Sequence, residues 1–131
     1  MTPDELRTRL TNFGADVIKF CNKLRDRPGA RTVADQLSAS GTSVSANYRG
    51  ACRARSRREF ISKISVALEE ADESAGWFEI IERAHLASPD DVAPLFREAH
   101  EIIAILSASR RTAELGEASA RRQGRRRGPK R

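Results

Sequence analysis

Apolar residues recur at steps of three and four along most of the chain, which is the spacing of one face of an α-helix. Between residues 6 and 24 this stripe consists of Leu6, Leu10, Phe13, Val17, Phe20 or Cys21, and Leu24. Further along, the stripes consist of Phe60, Ile64, Ala67, Ala71, Ser74, Phe78 and Ile81, and then of Val92, Leu95 or Phe96, Ala99, Ile102, Ile103 and Leu106. They predict amphipathic helices at about residues 3–26, 56–85 and 88–114.

A fourth helix, at about residues 31–54, is predicted between the first two stripes, although it is less hydrophobic. Small and polar residues stand in its stripe where leucine is expected: Val33, Leu37, Ser40, Val44, Asn47 and Ala51. Gly41 and several hydroxyl residues lower its intrinsic helix propensity. We expect close packing against a neighbouring helix to stabilise it; a ligand pocket lined by the hydroxyl groups is the alternative.

The ends of the predicted helices carry recognisable signals. Thr2 and Ser88 each precede a proline and two carboxylates, the pattern of a capping residue followed by proline in the first helical position. Ser56 and Glu59 have the spacing of a capping box, and a Pro-Gly pair at residues 28–29 ends the first helix. Because short breaks between long helices favour antiparallel neighbours, the sequence predicts an all-α, up-down-up-down four-helix bundle over residues 1–115.

The net charge of +6 is concentrated at the C-terminus. The first 115 residues contain equal numbers of basic and acidic side chains, whereas residues 116–131 contain only Glu117 against Arg121, Arg122, Arg125, Arg126, Arg127, Lys130 and Arg131. With almost no apolar residues, this segment is expected to be a disordered basic tail. Such a tail favours polyanions in a salt-sensitive and sequence-independent way, or else serves only as a solvated extension.

A second basic group surrounds the junction between the second and third helices. We call it the junction cluster: Arg49, Arg53, Arg55, Arg57, Arg58 and Lys63, opposed there by Glu59 alone. The following stretch is acidic, from Glu69 to Glu82. Arginine forms forked hydrogen bonds with phosphates, so the junction cluster is a candidate nucleic-acid-binding surface. The alternative is that these arginines pair with carboxylates of a neighbouring helix or of another subunit.

Few residues support catalysis or metal binding. Glu82 and His85 have the Glu-x-x-His spacing of di-iron bundles, but such sites need a second pair and a glutamate from each of two other helices. The second helix has no glutamate. We therefore expect no enzyme and no metal or other cofactor.

The cysteines and the N-terminus indicate the compartment. Cys21 and Cys52 are predicted near opposite ends of adjacent helices, roughly 20 Å apart at about 1.5 Å per residue, which is too far for a disulfide. No apolar run approaches the length of a membrane span, and the N-terminus lacks the features of a signal peptide. We expect reduced thiols, no membrane association and a cytoplasmic protein.

Trp77 lies beside Phe78, just off the stripe of the third helix. A half-exposed tryptophan next to a core position often marks a protein interface. The alternative is that a neighbouring helix covers it at the edge of the core.

The central part of the chain contains an ordered set of short motifs. They are Gln36-Leu37, Ser40, the run Ser43-Val44-Ser45-Ala46-Asn47-Tyr48-Arg49-Gly50, the basic stretch from Arg53 to Arg58, Glu59-Phe60 and Glu73. Through them the segment from Gln36 to Glu79 resembles the four-helix-bundle proteins of the 23S ribosomal RNA intervening-sequence family. Arg49 departs from the family pattern, which often has glutamate there.

The resemblance implies a homopentameric bundle with no established enzymatic activity. A relative is the accessory variability protein of diversity-generating retroelements, a basic pentamer that works with a reverse transcriptase and its template RNA. On this basis we expect an accessory protein that binds nucleic acid, RNA more than DNA, with Trp77 and the small-residue face of the second helix (Ser40, Ser43 and Asn47) between subunits. An adaptor that presents an oligomeric ring to a protein partner such as a reverse transcriptase is the alternative.

Overall fold

Residues 1–127 fold into four helices connected by short turns. The computed structural model describes residues 1–127, with side chains described as far as Arg126. The helices are α1 (Pro3–Leu24), α2 (Arg31–Cys52), α3 (Arg57–Arg83) and α4 (Pro89–Arg127), and these residues form no strand. Each helix packs mainly on its neighbours in the chain. The predicted all-α four-helix bundle is therefore confirmed.

Capping residues begin three of the helices where the sequence predicts them. The Thr2 hydroxyl accepts a hydrogen bond from the Glu5 amide at 3.1 Å, and the Thr2 amide donates to the Glu5 carboxylate at 3.1 Å. The Ser88 hydroxyl accepts from the Asp91 amide at 3.2 Å. Ser56 caps α3 by accepting from the Glu59 amide at 3.1 Å. The predicted capping box at Ser56 is only half formed, because the Glu59 carboxylate accepts from the Arg55 amide instead.

The core consists of aliphatic and small residues with few aromatic rings. Phe13, Phe78, Leu10, Leu37, Ile64, Ile81, Ile102 and Leu106 are its largest fully buried side chains. In the predicted α1 stripe, Cys21 is the buried one of the two alternatives. The predicted stripe of α2 needs correction, because Ala34 and Tyr48 are buried in place of Val33 and Asn47. Burying the Tyr48 ring turns the Asn47 amide outward, where it donates to the Ser43 carbonyl at 2.9 Å.

The small residues of α2 allow its neighbours to approach closely. A β-carbon on Gly41 would lie 2.8 Å from a methyl carbon of Val17 in α1. On the α3 side, the buried hydroxyl groups of Ser40 and Ser74 are 2.9 Å apart and hydrogen-bonded to each other. Close packing therefore explains the small residues at positions 40 and 41. It also corrects the assignment of Ser40 to a subunit interface, because its side chain lies inside the protomer at 1% exposure.

The α1–α4 seam is less extensive than the other three. Arg9 joins the two helices by donating to the two carboxylate oxygens of Glu98, at 2.9 and 2.6 Å, and to Glu101. These carboxylates, Glu98 first, raise the pKa of Arg9 above its usual value. Beyond the Arg9–Glu98–Glu101 contact, the seam opens toward the end of α1 and the beginning of α4.

Helix α4 is longer than the sequence predicts. It was expected to end near residue 114, with residues 116–131 as a disordered tail, but it continues to Arg127. Residues 113–127 include three alanines, two glutamates and five arginines, all strong helix formers, and Glu117 supplies ion pairs across to α3. The four remaining positions of the expected tail, 128–131, lie outside the described residues.

Candidate nucleic-acid interface

The turn between α2 and α3 holds the exposed arginines of the junction cluster. The Arg53 amide donates to the Gly50 carbonyl at 3.2 Å and the Ala54 amide to the Ala51 carbonyl at 3.1 Å, so the end of α2 tightens into a defined turn. Arg53 and Arg55 project from this turn and are exposed. Local backbone hydrogen bonds therefore present their guanidinium groups to solvent.

Lys63 and Arg49 extend the junction cluster to either side of the turn. The aliphatic stem of Lys63 crosses the end of α2, since a β-carbon on Gly50 would lie 3.4 Å from Lys63 Cδ. Arg49 borders a recess of about 380 Å³ between α2 and α1, whose lining includes Arg7 and Asp4. Arg7 pairs with Asp4.

Helix α4 reaches this same end of the bundle, although the sequence predicts that it stops before it. The Arg57 guanidinium packs on Gly116, where a β-carbon would lie 3.1 Å from Arg57 Cζ. Glu117 is within 3.9 Å of Arg57, 3.8 Å of Arg58 and 3.6 Å of Arg121. The junction cluster and the basic part of α4 are thus adjacent.

These contacts bear on whether the junction cluster is free or paired. Arg57 and Arg58 share Glu117 of their own chain, at distances and exposures for which an ion pair contributes only about 0–1 kcal/mol. Among residues 1–126, Arg49, Arg53, Arg55 and Lys63 form no ion pair with a carboxylate. Most of the cluster is therefore available to an external anion.

The last part of α4 is an exposed arginine helix. All side chains from Ala120 to Arg126 are exposed. Arg121 and Arg125 lie one turn apart, as do Arg122 and Arg126, so the helix carries two arginine rows. Arg122 and Arg126, with Ser119 and Gln123, line a shallow recess of about 130 Å³. Helix α4 is described as far as Arg127, whose side chain is outside the described set. We use "basic end" for the junction cluster together with Arg121, Arg122, Arg125 and Arg126.

The other predicted interface residues, assigned to subunit contacts, lie on α2 and α3. Ser43 is partly buried and donates to the Ala39 carbonyl of its own helix at 2.7 Å. Asn47 is likewise partly buried. Trp77 packs against the core from its edge, and its indole N–H is enclosed without a hydrogen-bond partner in the described part of the chain. Ile80, one turn further along α3, is 47% exposed.

Groups with possible chemistry are dispersed. Helix α3 ends at Arg83, and His85 follows with φ of +56°, so Glu82 and His85 do not share a helical face. Within residues 1–127, no group of three or more histidine, cysteine or acidic residues is placed to hold a metal ion. The same residues include no helix long and apolar enough to cross a membrane. Cys21 and Cys52 are free thiols.

Comparison with known proteins places this bundle in a family. The family model described as 23S rRNA-intervening sequence protein matches residues 6–108, from α1 into the middle of α4. The chain belongs to the 23S rRNA-intervening sequence protein family. The match includes the whole junction cluster and ends before the arginine rows of α4.

A solved structure is similar to this family member over most of its length. It is the crystal structure of a protein of unknown function from the S23 ribosomal protein family of Bacteroides thetaiotaomicron. The two chains are 26% identical, with a TM-score of 0.80, covering 85% of this chain and 99% of the other. No curated protein matches the chain.

Proposed function

We propose that this protein is a non-enzymatic accessory protein that binds RNA through the basic end. The observation that carries the proposal is the juxtaposition of the junction cluster with the arginine rows of α4, linked through Glu117. Ten basic side chains from three helices and a turn face solvent at one end of a bundle whose other residues, up to position 126, include 11 basic and 18 acidic side chains. Each phosphate that a cation neutralises releases counterions, so such a surface gains affinity for a polyanion.

The family description supports RNA as the polyanion, since it concerns an intervening sequence of 23S rRNA. Tyr48, which precedes Arg49 in the chain, is buried, and burial, with a smaller contribution from Cys52, raises its pKa to about 12. Its ring is therefore not available for base stacking, which single-strand binders commonly use. We infer recognition of the backbone rather than of base sequence.

Oligomerisation is part of the proposal. The resemblance to pentameric relatives, the partly exposed Trp77 and the exposed Ile80 and Val66 on α3 support an association of subunits through that helix. A ring would repeat the basic end in each subunit, and multivalency would convert weak phosphate contacts into a much higher apparent affinity.

A titration with RNA at several salt concentrations tests the proposal. The variant Arg53→Gln/Arg55→Gln removes two unpaired cations from an exposed turn and leaves the core untouched. We expect it to reduce affinity about tenfold at low salt and to lower the slope of log K against log salt by about 1 to 2, because each lost phosphate contact removes about 0.7–0.9 from that slope. A chain that ends at Glu117 should lose affinity further.

Arg31→Gln/Arg83→Gln is the matched control, since it removes the same charge from exposed positions at the opposite end of the bundle. Its RNA affinity and salt slope should equal those of the unmodified protein. If the two double variants weaken binding equally, net charge is responsible and the basic end is not the site.

The alternative is an adaptor that presents an oligomeric ring to a protein partner, favoured by the pairing of Arg57 and Arg58 with Glu117 and by the exposed apolar side chains of α3. Mass measurement in solution beside the titration separates the two functions. A stable oligomer without measurable RNA affinity at low salt supports the adaptor.

A further inference from the structure

A concave recess lies at the end of the bundle opposite to the basic end. It has a volume of about 440 Å³ and lies where the α1–α4 seam opens. The last two turns of α1 form one wall, and the α3–α4 turn with the first residues of α4 forms the other. Its volume falls in the range of about 300–1,000 Å³ that small-molecule sites occupy.

The floor of the recess is apolar and already ordered. It contains Phe20, Leu24, Leu86 and Ala87. The Phe20 ring packs edge-on against the buried Phe78, with ring centroids 5.8 Å apart. The Leu86 amide donates to the Ile81 carbonyl at 3.0 Å. The apolar side chains are therefore held in place without a ligand.

Three cations line the recess from one side. Lys19, Lys23 and Arg27 follow one another at intervals of four residues and so lie along one face of α1 and its continuation. Arg27 is fixed by donating to the His85 carbonyl at 2.9 Å, which ties the end of α1 to the turn after α3. Within the described residues neither lysine forms an ion pair, and Asp91 is the one carboxylate in the lining.

We propose that this recess binds a small organic anion that has an apolar body, with a carboxylate or phosphate head. The lysines would hold the head by charge-assisted hydrogen bonds, and the floor would cover the aliphatic or aromatic body. A bare inorganic anion would leave the apolar floor exposed, and a neutral apolar molecule would leave the lysines without a counter-charge. This site is separate from the proposed RNA surface and lies at the other end of the molecule.

Three eight-carbon probes test the site by calorimetry and by amide shifts in NMR spectra: octanoate, octyl phosphate and octanol. We expect saturable binding of at least one of the two anions, at least tenfold tighter than octanol, with the largest shifts in residues 19–27 and 86–91. The anion that binds more tightly identifies the preferred head group. The variant Lys19→Gln/Lys23→Gln should weaken it about tenfold, and Ala87→Phe should abolish binding by occupying the floor.

Arg31→Gln/Arg83→Gln is again the control, because it removes two cations from the same end of the bundle but outside the recess; it should bind the probes as the unmodified protein does. Thermal unfolding of each variant establishes that it is folded, and the lysine variant alters only the surface. The proposal is overturned by equal binding of octanol and the anions, by full binding in the lysine variant, by equal loss in the control, or by the absence of saturable binding.

Discussion

Gly41 and Gly76 both lie in the middle of a helix, but their surroundings are opposite. A β-carbon on Gly41 would press on Val17 at 2.8 Å, whereas one on Gly76 would meet no heavy atom within 4 Å. In each helix an alanine would restrict the unfolded chain and favour the helical state by about 0.5–1 kcal/mol. Only at Gly41 is this gain opposed by a collision with a neighbouring helix.

We therefore expect Gly76→Ala to stabilise the protein by about 0.5–1 kcal/mol and Gly41→Ala to destabilise it by about 1–2 kcal/mol, since overpacking costs about 1–3 kcal/mol. Chemical denaturation measures both changes. In a Val17→Ala background the cost of Gly41→Ala should fall, because the two methyl groups are gone and only the β-carbon of residue 17 remains, at 3.1 Å. Stabilisation by both single variants would show that α1 and α2 are further apart than the contact between Val17 and Gly41 requires.

The two cysteines differ in accessibility, which predicts their reactivity. Cys21 is fully buried, and burial raises the pKa of its thiol, so it holds little of the reactive thiolate; Cys52 is partly exposed. With an excess of a thiol reagent at pH 8, we expect one thiol to react rapidly and the second only as fast as the protein unfolds.

Replacing Cys52 by serine should remove the fast phase and leave the slow one. Two fast phases would contradict the burial of Cys21. A mass two hydrogens lower than that of the reduced chain would contradict the free thiols.

At the scale of helices, α1, α3 and the start of α4 follow directly from the sequence. Their stripes contain bulky residues, and a serine or threonine cap marks the start of each helix. The apolar spacing and the capping residues therefore predict the same helices. The register of α2 does not follow in the same way, because alanine, serine and glycine occupy both sides of its stripe. The buried positions were decided by Tyr48 and by the approach of Val17 to Gly41, which are tertiary contacts.

The end of α4 was not predictable for a different reason. Apolar content falls after Leu115, which suggests that the helix stops, but continuation depends on helix propensity and on Glu117 reaching Arg57 and Arg58 across the bundle. The sequence places Glu117 about sixty residues from these arginines. The junction cluster and the tail were each identified from the sequence, and only the fold brings them together.

Glu117 opposes three arginines of the basic end, so its removal should strengthen RNA binding. We expect Glu117→Gln to raise RNA affinity severalfold at low salt, because three cations lose their common carboxylate. Its effect on stability should be small, under about 1 kcal/mol per pair, since the pairs are long and partly exposed.

Glu114→Gln is the matched control, because the one ion pair that Glu114 forms with a described side chain is with Arg110 of the same helix, at 3.6 Å. It removes the same charge nearby without freeing the junction cluster. Parallel RNA titrations and thermal unfolding of the two variants check the prediction. Equal affinity gains would mean that Glu117 has no special relation to the site.

For the whole molecule, the distribution of charge is more informative than the net charge. Arg9 joins α1 to α4 in the half of the seam near the start of α1. The half near the end of α1 opens into the recess beside Lys19 and Lys23. The basic end lies at the opposite pole. A bundle with a close-packed middle therefore presents two separate cationic surfaces, one at each end.

The part of α4 that extends past the first residue of α3 has a defined length. From Glu117 to Arg127 the helix advances about 15 Å at about 1.5 Å per residue, past the first residue of α3. Phosphates along one strand of B-form DNA are about 3.4 Å apart along the axis, so the length of this arm corresponds to four or five nucleotides of such a strand. A flexible tail with the same arginines would have no fixed footprint. In the proposed RNA complex, a helical arm of this length sets a minimum site size.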